Sequence, residues 1–121
     1  MPQFVLLEHD HPELHWDLML ERGDALLTWR LDRIPAAAGA FAATSLPDHR
    51  VAYLDYEGPV SGNRGSVLRI DRGDFELLAA ADENIFVRLK GARLQGTAEM
   101  QRVSSGDAPD QPVWQLIWLP D

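Results

Sequence analysis

An all-β domain, mainly antiparallel and folded as a barrel or a sandwich with short loops, is what this sequence predicts, on three observations. Apolar residues recur in runs of four to eight, often alternating with polar ones, which is the period of a strand with one buried face. Glycine, aspartate, asparagine and proline interrupt those runs at short intervals, the spacing of turns between neighbouring strands. No segment sustains the apolar period of an amphipathic helix.

The first strand is FVLLEH at 4–9, an apolar run that ends on two polar residues. The turn-forming DHPE at 10–13 separates it from LHWDLMLE at 14–21, where alternate positions are apolar. RGD at 22–24 turns the chain into ALLTWRL at 25–31. IPAAAGAFAATS at 34–45 breaks the pattern and reads as one short helix or a mobile loop. RVAYLDYE at 50–57 resumes as a strand and SGNRG at 61–65 is a hairpin turn. SVLRI at 66–70 and FELLAA at 75–80 follow as two strands divided by a turn at DRGD, 71–74. IFVRLK at 85–90 and GTAEMQRV at 96–103 are joined through the turn KGARLQG at 90–96. SSGDAPDQP at 104–112 is a polar loop, and VWQLIWL at 113–119 is the last strand. With no internal repeat, residues 1–121 read as a single domain large enough to bury a core without staples. The tryptophans are core candidates rather than stacking platforms, with Trp118, beside Pro120, the least constrained.

Nineteen acids against eleven bases give a net charge of −8, which excludes broad, sequence-blind attraction to nucleic acid because phosphate binding needs a basic surface. A nucleic-acid contact has to be local. The absence of cysteine excludes disulfides, zinc ribbons and a thiol nucleophile. MPQFVLLEHD has neither a basic leader nor an apolar run long enough to span a bilayer, so the expectation is a soluble, cytoplasmic protein with no membrane partner.

The chain has four histidines, and three of them lie with three acids in HDHPELHWD at 9–17. On a strand, period two places His15, Asp17, Met19 and Glu21 on one face and Leu14, Trp16, Leu18 and Leu20 on the other. His15 and Asp17 can then converge on one ion while the opposite face supplies the core that holds them. His9, at the end of the preceding strand, completes a two-histidine, one-carboxylate set suited to manganese, iron or zinc. His11, Asp10 and Glu13 read as solvated turn residues. Spacing alone leaves a polar surface loop as the alternative.

The same residues carry a resemblance. FVLLEHDHPELHWDLMLE, LLTWRL, PDHRVAYLDYEGPV, GSVLRIDRGDFE, VRLKGARLQGTAEMQRV and WQLIWL, in that order over nearly the whole chain, resemble the 3′-phosphoesterase domain found at the N-terminus of bacterial DNA ligase D and as free-standing bacterial and archaeal proteins. The most specific parts are the His-x5-His-x-Asp spacing at 9–17 and the DHxxxYxDxEG block at 48–58. The resemblance implies a compact, closed or partly open β-barrel and a manganese-dependent site, zinc or iron being the other options. That site would remove a 3′-terminal ribonucleoside, and then the 3′-phosphate left behind, from the ends of primer-templates. It also implies separate end-joining partners such as Ku or a ligase. By position, His9, His15 and Asp17 match the metal ligands. His49 and Tyr53 match the pair facing the scissile phosphate, and Arg33 falls where the family usually has a lysine. Tyr53, four residues after His49, is expected on the same face of an extended segment.

The pattern also departs from the family. Met19 stands where an arginine is expected two residues after the metal-binding aspartate, and methionine cannot supply a bidentate guanidinium to phosphate. Leu7, Phe41 and Pro47 replace three further polar residues of the family pattern. Arg30, Arg33, Arg50 and Arg64 are the candidate replacements for the lost cation. Three functions follow: a metal-dependent 3′-end-processing phosphoesterase; a non-catalytic, metal-binding relative that holds a nucleic-acid end or a repair protein; or the same fold and ion acting on a small phosphate ester.

Overall fold

The computed structural model describes residues 2–103 and 113–121. Its elements in chain order are β1 (Gln3–His9), β2 (His15–Arg22), β3 (Ala25–Leu31), β4 (Gly39–Arg50), a 3-10 helix (Val51–Leu54), β5 (Gly58–Pro59), β6 (Ser66–Ala81), β7 (Asn84–Gly91), β8 (Gln95–Val103) and β9 (Val113–Pro120). The spatial order is β1-β2-β3-β4-β9-β8-β7-β6-β5, and β6 also pairs with β1, so the antiparallel sheet closes into a ring. The all-β expectation and the closure of the sheet both hold. Among the described residues no helix is long and apolar enough to cross a membrane.

Closure depends on β6, whose first half pairs with β1 from His9↔Val67 to Gln3↔Asp74. Its second half pairs with β7 from Gly73↔Gly91 to Ala81↔Asn84. Where the two partners meet, backbone runs close to backbone. A Cβ on Gly73 would strike the Lys90 carbonyl, and one on Gly91 would strike the Asp71 carboxylate and the Phe4 ring. Asp71 is buried and accepts the N–H groups of Ala92, Arg93 and Leu94 at 3.0, 3.1 and 2.7 Å, which satisfies the turn into β8. DRGD at 71–74 is therefore strand, not the expected turn. Its aspartate holds a neighbouring turn and its glycine admits a neighbouring backbone.

Two further expectations are corrected. Residues 39–45 belong to β4 rather than to a short helix or mobile loop, because β4 bridges β3 and β9 and uses small residues there; Ala43 is buried against the core. RVAYLDYE is not a strand. Val51 and Leu54, three apart, point to one apolar patch, a spacing that suits a helical turn. SSGDAPDQP lies outside the described residues.

Alternation along β1 and β2 builds two apolar clusters. Phe4, Leu6, Leu18 and Leu20 face the ring interior with Trp29, Trp114 and Trp118, and Trp29 meets Trp114 edge to face at 5.9 Å. Trp118 is only 2% exposed, so it is firmly held in the core. Val5, Leu7 and Met19 form the opposite face with Leu26, Leu54 and Val67, and Val51, Tyr53 and Val60 pack against them. Segment 51–60 is thus held on the outside of the sheet wall. Each such fully buried Leu or Met favours this arrangement by about 2 kcal/mol. Leu14, expected on the core face, is instead 56% exposed, because it precedes the first residue of β2.

Candidate metal centre

The outer row of β1 and β2 carries Leu7↔Asp17 and His9↔His15 as direct cross-strand partners. Such pairs project to the same face, so the register that buries Leu7 and Met19 also brings the two histidines together. Their ring centroids lie 4.9 Å apart. One ligand atom from each of His9, His15 and Asp17 falls within 4.8 Å of the others. His15 and Asp17 are buried, at 4% and 3% exposure, and His9 is half-buried at the opening.

Backbone carbonyls fix the ring nitrogens. His15 Nδ1 donates to the Glu13 carbonyl at 2.8 Å, and His9 Nε2 donates to the Arg64 carbonyl at 2.8 Å. A carbonyl only accepts, so each neutral ring carries its proton there and turns a lone pair inward, from His15 Nε2 and His9 Nδ1. His15 Nε2 lies 3.2 Å from Asp17 Oδ1, and His9 Nδ1 lies 3.9 Å from Asp17 Oδ2. Asp17 Oδ1 is buried with no hydrogen-bond partner. Two acceptors facing each other in a dry site repel unless a proton or a cation lies between them. Burial raises the Asp17 pKa above 3.8, and the neighbouring His15, His49 and His9 oppose that rise. The residues fit a divalent cation: the inward lone pairs, the orphaned oxygen and the carbonyl supports are what such an ion needs.

The neighbouring polar residues support the same corner. Asp10 is not simply solvated, since its Oδ1 accepts the Ser66 N–H at 2.8 Å. His11 has its ring 6.4 Å from that of His9. The turn at 61–65 presents the Arg64 carbonyl through a run of positive φ at Gly62, Asn63 and Gly65. At Gly65 a Cβ would collide with Asp10 and with His11 Cβ.

Beside His9, whose partner Arg64 lines it, an open cleft of about 690 Å³ is walled by segments 47–53 and 56–64. His49 and Tyr53 line it, with ring centroids 5.8 Å apart. They approach through the turn of the 3-10 helix, not through the expected extended segment. His49 donates from Nδ1 to the Pro47 carbonyl at 2.9 Å, leaving Nε2 open. Arg50 and Arg64 line the cleft, although Arg64 folds onto Ser61 through its Nε and Nη2. Arg30 is the cross-strand partner of Asp17, on the same face. Arg33 points elsewhere, with Asp32 at 3.6 Å and its guanidinium 6.0 Å from the centre of the Phe41 ring. Phe41 packs against the ring interior, whereas Leu7 and Met19 belong to the outer apolar cluster. The carbonyls of Glu13 and Arg64 had no side-chain signal in the sequence. Tyr56, also in the cleft, could have been flagged as the second tyrosine of YLDYE.

A family profile described as the DNA Ligase D 3′-phosphoesterase domain matches residues 7–102. The chain is 27% identical over 113 residues to the multifunctional non-homologous end joining protein LigD of Mycobacterium bovis, covering 86% of this chain and 15% of that protein. The multifunctional non-homologous end joining DNA repair protein LigD of Mycobacterium tuberculosis gives the same figures. LigD of Pseudomonas aeruginosa is 26% identical over 129 residues, covering 98% of this chain and 15% of the relative. The chain therefore spans about 15% of the length of these curated relatives.

Proposed function

The chain belongs to the DNA ligase D 3′-phosphoesterase domain family, and from that membership we propose that it is a manganese-dependent phosphoesterase that trims 3′ ends in DNA repair. The substrates are ends that carry a terminal ribonucleoside or a 3′-phosphate. The observation that carries this reading is the convergence of His9, His15 and Asp17 with both imidazole protons directed outward to carbonyls.

These three residues hold the ion, and their donor set also suits iron or zinc. A bound divalent ion supplies Lewis-acid polarisation of a phosphate ester. The chain's own groups do the rest. Arg30, beside Asp17, and Arg50, in the cleft, supply positive charge to the phosphate in place of the arginine expected at Met19. His49 offers Nε2 to the leaving oxygen, donating a proton when it carries one. Tyr53, edge to face with His49, offers its hydroxyl to a phosphate oxygen. A trimmed end still has to be joined, so Ku or a ligase is the proposed partner.

One observation favours a second reading, a metal-bearing domain that binds an end without cleaving it. Met19 is fully buried in the outer apolar patch, so no cation enters the site from that position. The deciding experiment is a manganese-supplemented cleavage assay on a primer-template with one 3′-terminal ribonucleotide, and on the same duplex ending in 3′-phosphate. Trimming that disappears in Asp17→Ala supports the phosphoesterase. Intact ends in the presence of demonstrated manganese binding support the second reading.

A further inference from the structure

Three aromatic rings form a row along the cleft beside His9. His49 lines the same cleft as Arg64, whose carbonyl holds His9, Tyr53 lies 5.8 Å from His49 at an interplanar angle of 68°, and Tyr56 lies 5.8 Å from Tyr53 at 88°. Tyr56 is 38% exposed. Its hydroxyl donates to the Pro59 carbonyl, which pins the ring within the cleft. The rings share that cleft with the apolar Pro47, Pro59 and Val60 and with Arg50 and Arg64, while Asp48 is the one carboxylate among the described lining residues. In a chain of net charge −8, this is a local reversal of sign. The volume of about 690 Å³ is in the range that takes one nucleotide-sized group.

A phosphate ester set against His9, His15 and Asp17 carries its nucleoside into this space, because Arg64 both supports His9 and lines the cleft. We infer that Tyr56, with the Tyr53 ring beside it, forms a stacking subsite for the base of the 3′-terminal nucleoside. This rests on the 3′-end reading above and makes the terminal base, not only the phosphate and sugar, a determinant of recognition. Stacking suits every base because each has a π-face, so the subsite selects for the presence of a base and not for its identity.

The test is equilibrium binding, by fluorescence anisotropy, of the manganese-loaded protein to primer-templates ending in a non-hydrolysable 3′-phosphonate. One duplex carries a terminal base and the other a terminal abasic sugar. The base-bearing end is expected to bind about tenfold more tightly. Tyr56→Leu is expected to abolish that difference, and Tyr56→Phe, which keeps the ring, to retain it. Equal affinity for the two ends in the parent, or a difference that survives Tyr56→Leu, overturns the subsite alone. A phosphonate that adds nothing over a 3′-hydroxyl end overturns the end-processing reading and the subsite with it.

Discussion

His9 and His15 face each other across the β1–β2 pair with ring centroids 4.9 Å apart, and each donates its ring N–H to a carbonyl on the far side of the ring. The pairing makes the site a property of strand register. A slip of one residue in β2 would turn His15 and Asp17 to the other face of the sheet, away from His9.

Removing one imidazole therefore dismantles the site. His15→Ala is expected to weaken manganese binding by more than about 100-fold, since changing only a support of a ligand already costs 10–100-fold. Titration followed by the electron paramagnetic resonance of free manganese reads this directly. Affinity in the parent falls on acidification, as protons compete for the ring nitrogens. A His15→Ala protein that binds as the parent does would remove the site.

Asp17 is expected to trade stability for ion binding. Its pKa is raised by burial, so the protonated form is the one the metal-free fold favours. Its stabilising contribution is present below the ordinary value of 3.8 and is lost as pH rises through the raised pKa. At neutral pH the metal-free Asp17→Asn variant should be more stable than the parent by about 1 kcal/mol, the order of a buried unpaired polar group. The gap should narrow as pH falls. Thermal melts of chelator-treated protein across pH 4–7 check this.

Gly65→Ala should act on the ion without touching a ligand. The new Cβ meets Asp10 and His11 at a residue with φ of 72° and displaces the Arg64 carbonyl that orients His9. Manganese affinity is expected to fall 10–100-fold, and stability by about 1–3 kcal/mol.

Restoring an arginine at position 19 is not expected to restore a phosphate contact. Met19 is packed among Val5, Leu7, Leu26 and Leu54, and an unpaired buried guanidinium costs about 3 kcal/mol or more. Urea denaturation of Met19→Arg should show this loss with no gain in cleavage. A variant as stable as the parent and more active would show that the side chain reaches the cleft.

Asp71→Asn tests the ring closure. The carboxylate accepts three amides of the β7–β8 turn, and charge-assisted bonds of this kind contribute about 1.5–3 kcal/mol each. A loss of about 3 kcal/mol in stability, with manganese affinity unchanged, is the expected outcome.

The convergence of His9, His15 and Asp17 is legible in the sequence because HDHPELHWD places His15 and Asp17 at strand period and His9 at a strand end. The outer apolar patch was not. Period two assigns Leu7 and Met19 to a polar face, and only the folding of residues 51–60 back over the sheet makes that face a second core. β4 was obscured by its alanines, which suit helix and strand alike. DRGD was misread because aspartate and glycine are turn formers, whereas here Asp71 caps the turn of another hairpin and Gly73 permits a close crossing. Arg33 and Phe41 were grouped with the site by position along the chain. Strand order instead seats them against each other.

Val5, Leu7 and Met19 are buried on one side of the β1–β2 wall, and Phe4, Leu6, Leu18 and Leu20 on the other. Amides sandwiched in this way exchange with solvent only when much of the molecule opens, so the strands that carry His9, His15 and Asp17 belong to the slowest-exchanging part of the protein. The cleft beside them is made instead by a short excursion laid over that wall. Substitutions at positions 47–61 can therefore reshape the cleft while His9, His15 and Asp17 stay where they are.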